Sequence, residues 1–441
     1  MAETRALDFL RPGDPSYDEV RRVHNGLIDK RPSLIARCQT TTDVAAAVHL
    51  GRREALELSV RGGGHNVAGS AVTDGGLMID LSPMKQIEVD IAARTAWAQP
   101  GLTWDEFNVA TQTHGLATTG GIVSTTGIAG LTLGGGWGWL QGKHGLAIDN
   151  LLSVELVTAD GAVVRASEGE NADLFWALRG GGGNFGVATS FTFRLHPVST
   201  VFGGLIAYPA EAADEVIDAY RRVTKDAPDE LSVQCGLGTA PDGTTRMAAV
   251  PLCHCGDLDR AETDVQPLRQ LGTPLLDALG PLPYVEQNRL TDSSFPSGAL
   301  NYWKSAFFTE LSRDAVATLL ECFEGVPSAQ TFCVIESIGG AAARVAPTAT
   351  AYPHREPGYS LLILAQWTDP ADTPDNIAWA RDTFEALRPH MAARRYMNYM
   401  AADDSGYVRH AYGENYERLV DIKRRYDPEN VFHLNQNISP R

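Results

Sequence analysis

The residues of this chain that could do chemistry sit among glycines. Val60-Arg61-Gly62-Gly63-Gly64-His65-Asn66, followed closely by Gly69-Ser70, sets one imidazole directly after three residues without side chains. Such a backbone can take positive φ and press against a flat or anionic ligand, and the histidine then meets whatever the glycines hold. By itself the heptapeptide is equally compatible with a Gly-rich turn carrying an exposed histidine. Two further segments share its texture: the run from Gly120 to Gly145, and Arg179-Gly180-Gly181-Gly182-Gly183-Asn184-Phe185-Gly186. Tight turns in a β-rich domain explain any one of the three and strain to explain all. A long ligand with a pyrophosphate and a flat ring system, touching backbone N–H groups, would explain them together.

Two familiar phosphate cradles are spelled but not supported. Gly181-x-Gly183-x-x-Gly186 has the dinucleotide spacing, yet a helical stretch (174–179) precedes it and a strand (187–195) follows, the reverse of what that motif needs. Gly142-Lys143 is followed by His144 instead of Ser or Thr, so a P-loop fails too. Cys253-His254-Cys255 lacks a second Cys/His pair at zinc spacing and reads as the end of a packed strand, so no metal is expected. Lys304 and Glu336 interrupt apolar strand segments, Asn301-Tyr302-Trp303-Lys304-Ser305 and Val334-Ile335-Glu336-Ser337. A buried charge needs a partner; the two either pair with each other, meet a polar substrate, or serve as structural or solvent-facing residues.

The elements that would position these groups can be read in order. Thr41-Thr42-Asp43 caps a helix, Leu58 to Arg61 forms the strand that delivers the triple glycine, and Leu77 to Leu81 has the continuous apolar look of a doubly buried strand. Segments 87–89 and 95–97 read as a hairpin, and Thr103-Trp104-Asp105-Glu106 as a capping box opening a helix to His114 that stops at Gly115. The glycine density of 120–145 disfavours both helix and regular strand there. Strands are expected at 153–158 and 162–166 around an Asp160-Gly161 turn. Beyond Pro197 glycine thins out and helices (213–223, 312–323) alternate with strands (331–338, 359–367), which places a domain boundary near residue 200. A last helix spans 416–426 with a basic end that suits its dipole.

Composition limits the partners. With 441 residues and a net charge of -17, the chain can bury a sizeable core but offers no basic surface for nucleic acid or an anionic membrane. No run of 18 apolar residues occurs. The acidic stretch Met1 to Asp18 reads as neither signal nor transit peptide. Six scattered cysteines suit reduced thiols in a cytoplasm.

Taken together, Arg61 to Asn66 with Gly69-Ser70, the Gly127 to Gly145 run with Asp149-Asn150, Arg179 to Val187, and the terminal Tyr396-x-Asn398-Tyr399 and Asn435-Gln436-Asn437 resemble the berberine-bridge-enzyme-like branch of the vanillyl-alcohol-oxidase flavoprotein family. The resemblance runs from about residue 25 to the C-terminus. It implies an α+β fold: a PCMH-type FAD-binding domain from residues 1–203 and 396–441, and a substrate domain from 204–395 with an antiparallel sheet covered by helices.

The resemblance also assigns roles. His65 stands where family members bond covalently to the 8α-methyl of FAD, a link that makes the ring more electron-poor and a better hydride acceptor. Relatives with a second, cysteinyl link read roughly I-C-P-T-V-G where this chain reads Ile122-Val123-Ser124-Thr125-Thr126-Gly127, so Val123 implies a single link. Backbone at Gly127, Gly130, Gly134, Gly135, Gly138 and Val187 joins Gly62 to Asn66 in cradling the cofactor, with Thr125, Asn398 and Asn435 also at the flavin. Thr126 occupies the position to which control of oxygen access is attributed.

The implied reaction removes a hydride from a C–H beside oxygen or nitrogen of a small molecule, with O2 reduced to hydrogen peroxide. A glutamate that some relatives use as base, seven residues beyond the pair matching His354-Arg355, is replaced by Leu361. Tyr399, as an ionised or polarised phenol, is the better candidate, with Glu336 and Lys304 as further catalytic candidates. Tyr302, Trp303, Gln366 and Tyr396 are candidates for the substrate wall. The single link resembles hydroxynicotine oxidases and natural-product tailoring oxidases more than sugar oxidases, so an alkaloid-like or secondary-metabolite substrate is favoured. A carbohydrate or alcohol oxidase, a dehydrogenase that reacts poorly with O2, a flavin carrier without turnover and a nicotinamide dehydrogenase stay as alternatives, and the oligomeric state stays open.

Overall fold

Three large sheets and a two-stranded ribbon of Leu116–Ala117 with His196–Pro197 carry the chain, and side-chain alternation decides what each large sheet presents. The computed structural model describes residues 7–441, so the first six residues of the acidic N-terminal stretch and of the 1–203 range lie outside it. In the first sheet Leu77–Asp80 runs parallel between Leu34–Arg37 and Leu58–Arg61, with Asp8–Leu10 antiparallel at the edge. All of Leu77–Asp80 is buried, as a strand sandwiched on both faces requires. The intervening helix Thr41–Arg53 begins one residue earlier than expected: Thr40 is the cap, its hydroxyl accepting from the Asp43 N–H while the Asp43 carboxylate accepts from Thr40.

The second sheet is antiparallel, with Val187–Arg194 between Thr95–Ala98 and Leu151–Val157, and Ile87–Asp90 and Val163–Ser167 at its edges. The hairpin turns at Arg94 and Gly161 both use positive φ, as tight reversals between antiparallel strands often do. Thr103 and Glu106 form the expected capping box, but the helix they open, Trp104–Gln112, ends before His114; Gly115 then takes φ +64. The glycine-rich run holds more helix than its composition suggests, in Ile128–Leu133 and Gln141–His144. Ile128, Ala129, Thr132 and Leu133 are all buried, so tertiary packing overrides the low propensity of Gly130.

The third sheet has eight antiparallel strands, in the order Leu276–Asp277, Thr200–Pro209, Arg246–His254, Leu231–Thr239, Phe332–Ile338, Gly358–Trp367, Leu300–Phe308, with Gly280–Pro283 also on Thr200–Pro209. Its first long strand therefore runs across residue 203, the expected end of the first unit. One face packs under the helices Ala213–Lys225, Arg313–Glu324 and Thr373–Leu387 through residues such as Val233, Cys235, Ile335 and Ile363. Residues between these, Gln234, Gly236, Val334, Glu336 and Leu362, point to the opposite face and line a deep cavity against the first two units. Cys253 and His254 close the strand Arg246–His254 as expected of a packed strand end.

The C-terminal helix Tyr416–Tyr426 packs back onto the second sheet's helical layer. Lys423 is wholly buried and donates to the Asn184 and Phe432 carbonyls and to Asp427, while Asn184 accepts from the Ile438 N–H. Among the described residues no helix is long and apolar enough to cross a membrane.

Candidate active site

The three glycine-rich segments meet at one cavity. A Cβ on Gly63 would lie 2.5 Å from the Gly127 nitrogen, and one on Gly127 would lie 2.4 Å from the Gly63 nitrogen, so the two loops approach as bare backbone. Gly130, by contrast, would meet nothing within 4 Å; its missing side chain leaves open space. Gly182, Gly183 and Val187 form the next stretch of wall, with the Asn435 amide 3.0 Å from a Cβ built on Gly183. Asn66, Ser70, Val123, Thr126 and Asn435 also line the cavity, where the described residues include no Lys or Arg and no acid other than Glu336. A long wall of backbone and apolar side chains fits a flavin dinucleotide, whose pyrophosphate would be met by main-chain N–H groups.

Several glycines expected at the cofactor instead serve packing. A Cβ on Gly134 would strike the Asn398 amide at 2.0 Å, on Gly135 the Tyr352 ring at 3.0 Å, and on Gly138 the Gly120 carbonyl at 1.8 Å. Gly69, at φ +72, accommodates Ile28, and the Arg61 guanidinium turns away to the Val20 carbonyl. None of these five, nor Thr125, lines the cavity. Gly134, Gly135 and Gly138 are thus glycine because neighbouring protein fills the Cβ space.

His65 faces the cavity with its ring packed in the wall. His24 stacks on it at 3.8 Å between centroids and 18° between planes, and the Thr125 hydroxyl lies 3.5 Å from its Nε2. Burial, with the second imidazole beside it, pulls the His65 pKa down to about 3, so the ring is neutral and keeps a lone pair. His24 is held down to about 4 by burial, and its own Nε2 has no partner. The His24 N–H donates to the Gly64 carbonyl, and the Asn25 side chain bridges the Val67 carbonyl to the Asn301 backbone. The histidine loop is therefore laced to the large sheet through residues 24 and 25. No cysteine lines the cavity at Val123 or elsewhere among the described residues.

Across the cavity, the Tyr399 hydroxyl donates to Glu336 Oε1 at 3.1 Å, and the Gln234 amide donates to the same oxygen at 3.1 Å. Oε2 is buried without a partner. Burial pushes the Glu336 pKa up to about 8, against the lowering effect of the Tyr399 hydrogen bond. Burial and this carboxyl hold the Tyr399 phenol well above its usual range, so the ionised phenol considered from the sequence is disfavoured; Tyr399 is a donor here. Tyr396 lines the cavity edge-on to Tyr399 at 4.8 Å and stacks on Trp137, but its hydroxyl is already used by Gly136 and Asn398. Trp303 stands T-shaped to Tyr399 at 6.2 Å.

Lys304 does not pair with Glu336. It follows Trp303 and so faces the other side of its strand, where Nζ meets Asp403 at 2.8 Å and Asp404 at 2.5 Å. Tyr302 shares that face, donating to Asp403 and accepting from Arg381. Gln366 reaches the Ser294 carbonyl instead of the cavity. Register turns Tyr302 and Lys304 to the helix-covered side, whereas Gln366 shares the face of Leu362 and Leu364 but has its amide taken at the end of the strand. The same logic revises the missing glutamate: Leu361 points into the helix-covered core, while Ser360, cross-strand from Glu336, has a buried hydroxyl without a partner.

Gln234, Gly236, Phe295, Phe332, Val334 and His24 are site residues that the motifs did not single out. The alternation in Gln234-Cys235-Gly236-Leu237-Gly238 was the available signal for the first two.

Known FAD-linked proteins share this fold. A family model for an FAD binding domain matches residues 32–167, and one described as "Berberine and berberine like" matches 395–439. An FAD-linked oxidoreductase of Dictyostelium discoideum is 31% identical over 98% of this chain and 94% of its own length. The (R)-6-hydroxynicotine oxidase of Paenarthrobacter nicotinovorans is 32% identical over 98% of this chain and 96% of its own. The crystal structure of a 6-hydroxy-D-nicotine oxidase from Arthrobacter nicotinovorans superposes with a TM-score of 0.91 at 31% identity, covering 100% of both chains.

Proposed function

This chain belongs to the berberine-bridge-enzyme-like FAD-linked oxidoreductases, and from that membership we propose that it is an oxidase of an alkaloid-like or other secondary-metabolite small molecule, with FAD attached through His65 alone. The observation that carries the reading is the pairing, across one cavity, of a neutral imidazole on a glycine cradle with the Tyr399–Glu336 couple. When bound, FAD supplies the hydride acceptor and returns its electrons to O2 as hydrogen peroxide.

The protein's own residues do the rest. Glu336 Oε2, buried and free, accepts the O–H or N–H proton of the substrate as the neighbouring C–H is oxidised. Tyr399 and Gln234 fix Oε1 and so aim the second oxygen. The apolar walls at Trp303, Leu362 and Val334 exclude water from that proton transfer. Gly63, Gly127, Gly130 and Gly183 would hold the dinucleotide by backbone, with Asn435 at the C-terminal side. Lys304 is assigned here to fastening the 397–404 segment, not to chemistry.

We divide the molecule functionally into the cofactor unit of residues 1–203 and 396–441 and the substrate unit of 204–395, the large sheet supplying the latter. Six cysteines without a disulfide accord with a cytoplasmic setting. Anaerobic mixing of the purified protein with a panel of amines, alcohols, phenols and sugars tests the reading. Bleaching of the flavin by amines or alcohols on apolar skeletons, with peroxide on readmitting air, is expected. A panel in which only sugars bleach it points to the carbohydrate reading, and no bleaching at all to a flavin carrier.

A further inference from the structure

The cavity face of the large sheet carries a trough. Leading away from Glu336, three rows cross the strands: Gln234 beside Glu336, then Ala249, Gly236 and Val334, then Met247 and Gly238 with Phe332. Successive rows lie two residues apart, so the outermost sits roughly 13 Å from the carboxyl row. The middle row is low because two of its three residues are glycine and alanine.

Gly236 is the telling position. A Cβ there would meet nothing nearer than 3.7 Å, and its φ is not positive, so neither backbone nor packing requires glycine. Glycine inside a strand weakens it, through lost entropy and lost side-chain packing. Gly238 differs, because the Phe332 ring occupies its Cβ space at 2.5 Å. The bare strand at 236 therefore keeps space free for something other than protein, with Phe332 closing the far end.

The lining of this trough is apolar. Met247, Ala249, Pro251, Phe332 and Val334 flank it, and the Gln234 amide is taken by Glu336. A saccharide would place several hydroxyls against these groups without partners. A fused aromatic skeleton would bury its faces there, leaving its donor for the unpartnered Glu336 Oε2.

Resting on the proton-accepting role given above to Glu336, we propose that the substrate is an aromatic molecule of two or more fused rings, its N–H or O–H at Glu336 and its rings along the trough, and that Gly236 sets the permitted length.

The holoenzyme's flavin absorbance, titrated anaerobically with benzylamine, 2-(aminomethyl)naphthalene and xylobiose, tests this. The naphthyl amine should bind at least about tenfold more tightly than benzylamine, from the extra apolar surface buried. Gly236→Leu should abolish that gain, weakening the naphthyl amine at least about tenfold more than it weakens benzylamine. Ala249→Leu, which extends an existing side chain from the same row, should reduce the gain even where the Gly236 variant folds poorly. Xylobiose perturbing the flavin at lower concentration than the naphthyl amine, no amine perturbing it, or a size preference that survives both substitutions would overturn the proposal. If the preference survives while Glu336→Gln still slows reduction, the trough is wrong and the role of Glu336 stands; the converse pattern keeps the trough and removes the role.

Discussion

Glu336 is held as a carboxylic acid near neutrality by burial in a cavity whose described lining residues include no Lys or Arg, and it has one oxygen committed and one free. Its raised pKa fixes the sign of a pH effect. Below about 8 the group is mostly protonated and cannot accept; above that it ionises and can. Flavin reduction by a substrate that does not itself titrate between about pH 6 and 10 should therefore rise with pH through about 8 and level off. Glu336→Gln, which keeps the shape, should lower that rate by about 10²–10⁴ and flatten the profile. A Glu336→Gln profile that still rises near the same pH would assign the titration elsewhere. Sequence motifs alone pointed to Tyr399 as the proton acceptor, because its motif marks the flavin face. Glu336 stands out in the sequence as a charge interrupting an apolar strand; what the motifs do not carry is that this carboxyl lies 3.1 Å from the Tyr399 hydroxyl, contributed by a strand more than sixty residues earlier.

At the scale of elements, the strand Leu300–Phe308 does two jobs on its two faces. Trp303 meets the cavity, while Tyr302 and Lys304 clamp Asp403 and Asp404 in the segment that follows Tyr399. Asp404 also accepts from the Ala401 N–H, so the clamp sets the path of the turn that presents Tyr399. Removing the lysine strands Asp404, which is only 4% exposed, without a counter-ion. Lys304→Met should cost about 3–5 kcal/mol, measured by denaturant unfolding, and slow flavin reduction through a misplaced Tyr399. Unchanged stability and rate would show the pair to be incidental. Local signals were legible in the sequence wherever the interaction is local: the Thr103–Glu106 capping box, the hairpin around Arg94 and the turn at Gly161. Those set by register were not. Lys304 and Glu336 look alike as charges in apolar strands, yet stand on opposite faces, and glycines of one run divide between the cavity wall and tight packing against Asn398, Tyr352 and Gly120.

In the molecule as a whole, three distant segments close around a single cavity. The N-terminal segment laces the His65 loop to the large sheet through Asn25, whose side chain spans 276 positions of sequence to Asn301. The C-terminal segment closes the other side through buried Lys423, which ties Asn184 to Phe432, and through Asn435 against Gly183. Both ends therefore hold the glycine-rich wall proposed to cradle the cofactor, and the large sheet supplies the opposite wall. The proposed chemistry depends on the flavin being anchored at His65. The most direct measurement is mass spectrometry of the acid-denatured, protease-digested protein, beside His65→Ala. A flavin-bearing peptide containing His65 and no other is expected, together with a variant whose retained FAD is wholly released on denaturation. Flavin on any other residue, or a covalent adduct persisting in His65→Ala, would contradict anchoring at His65.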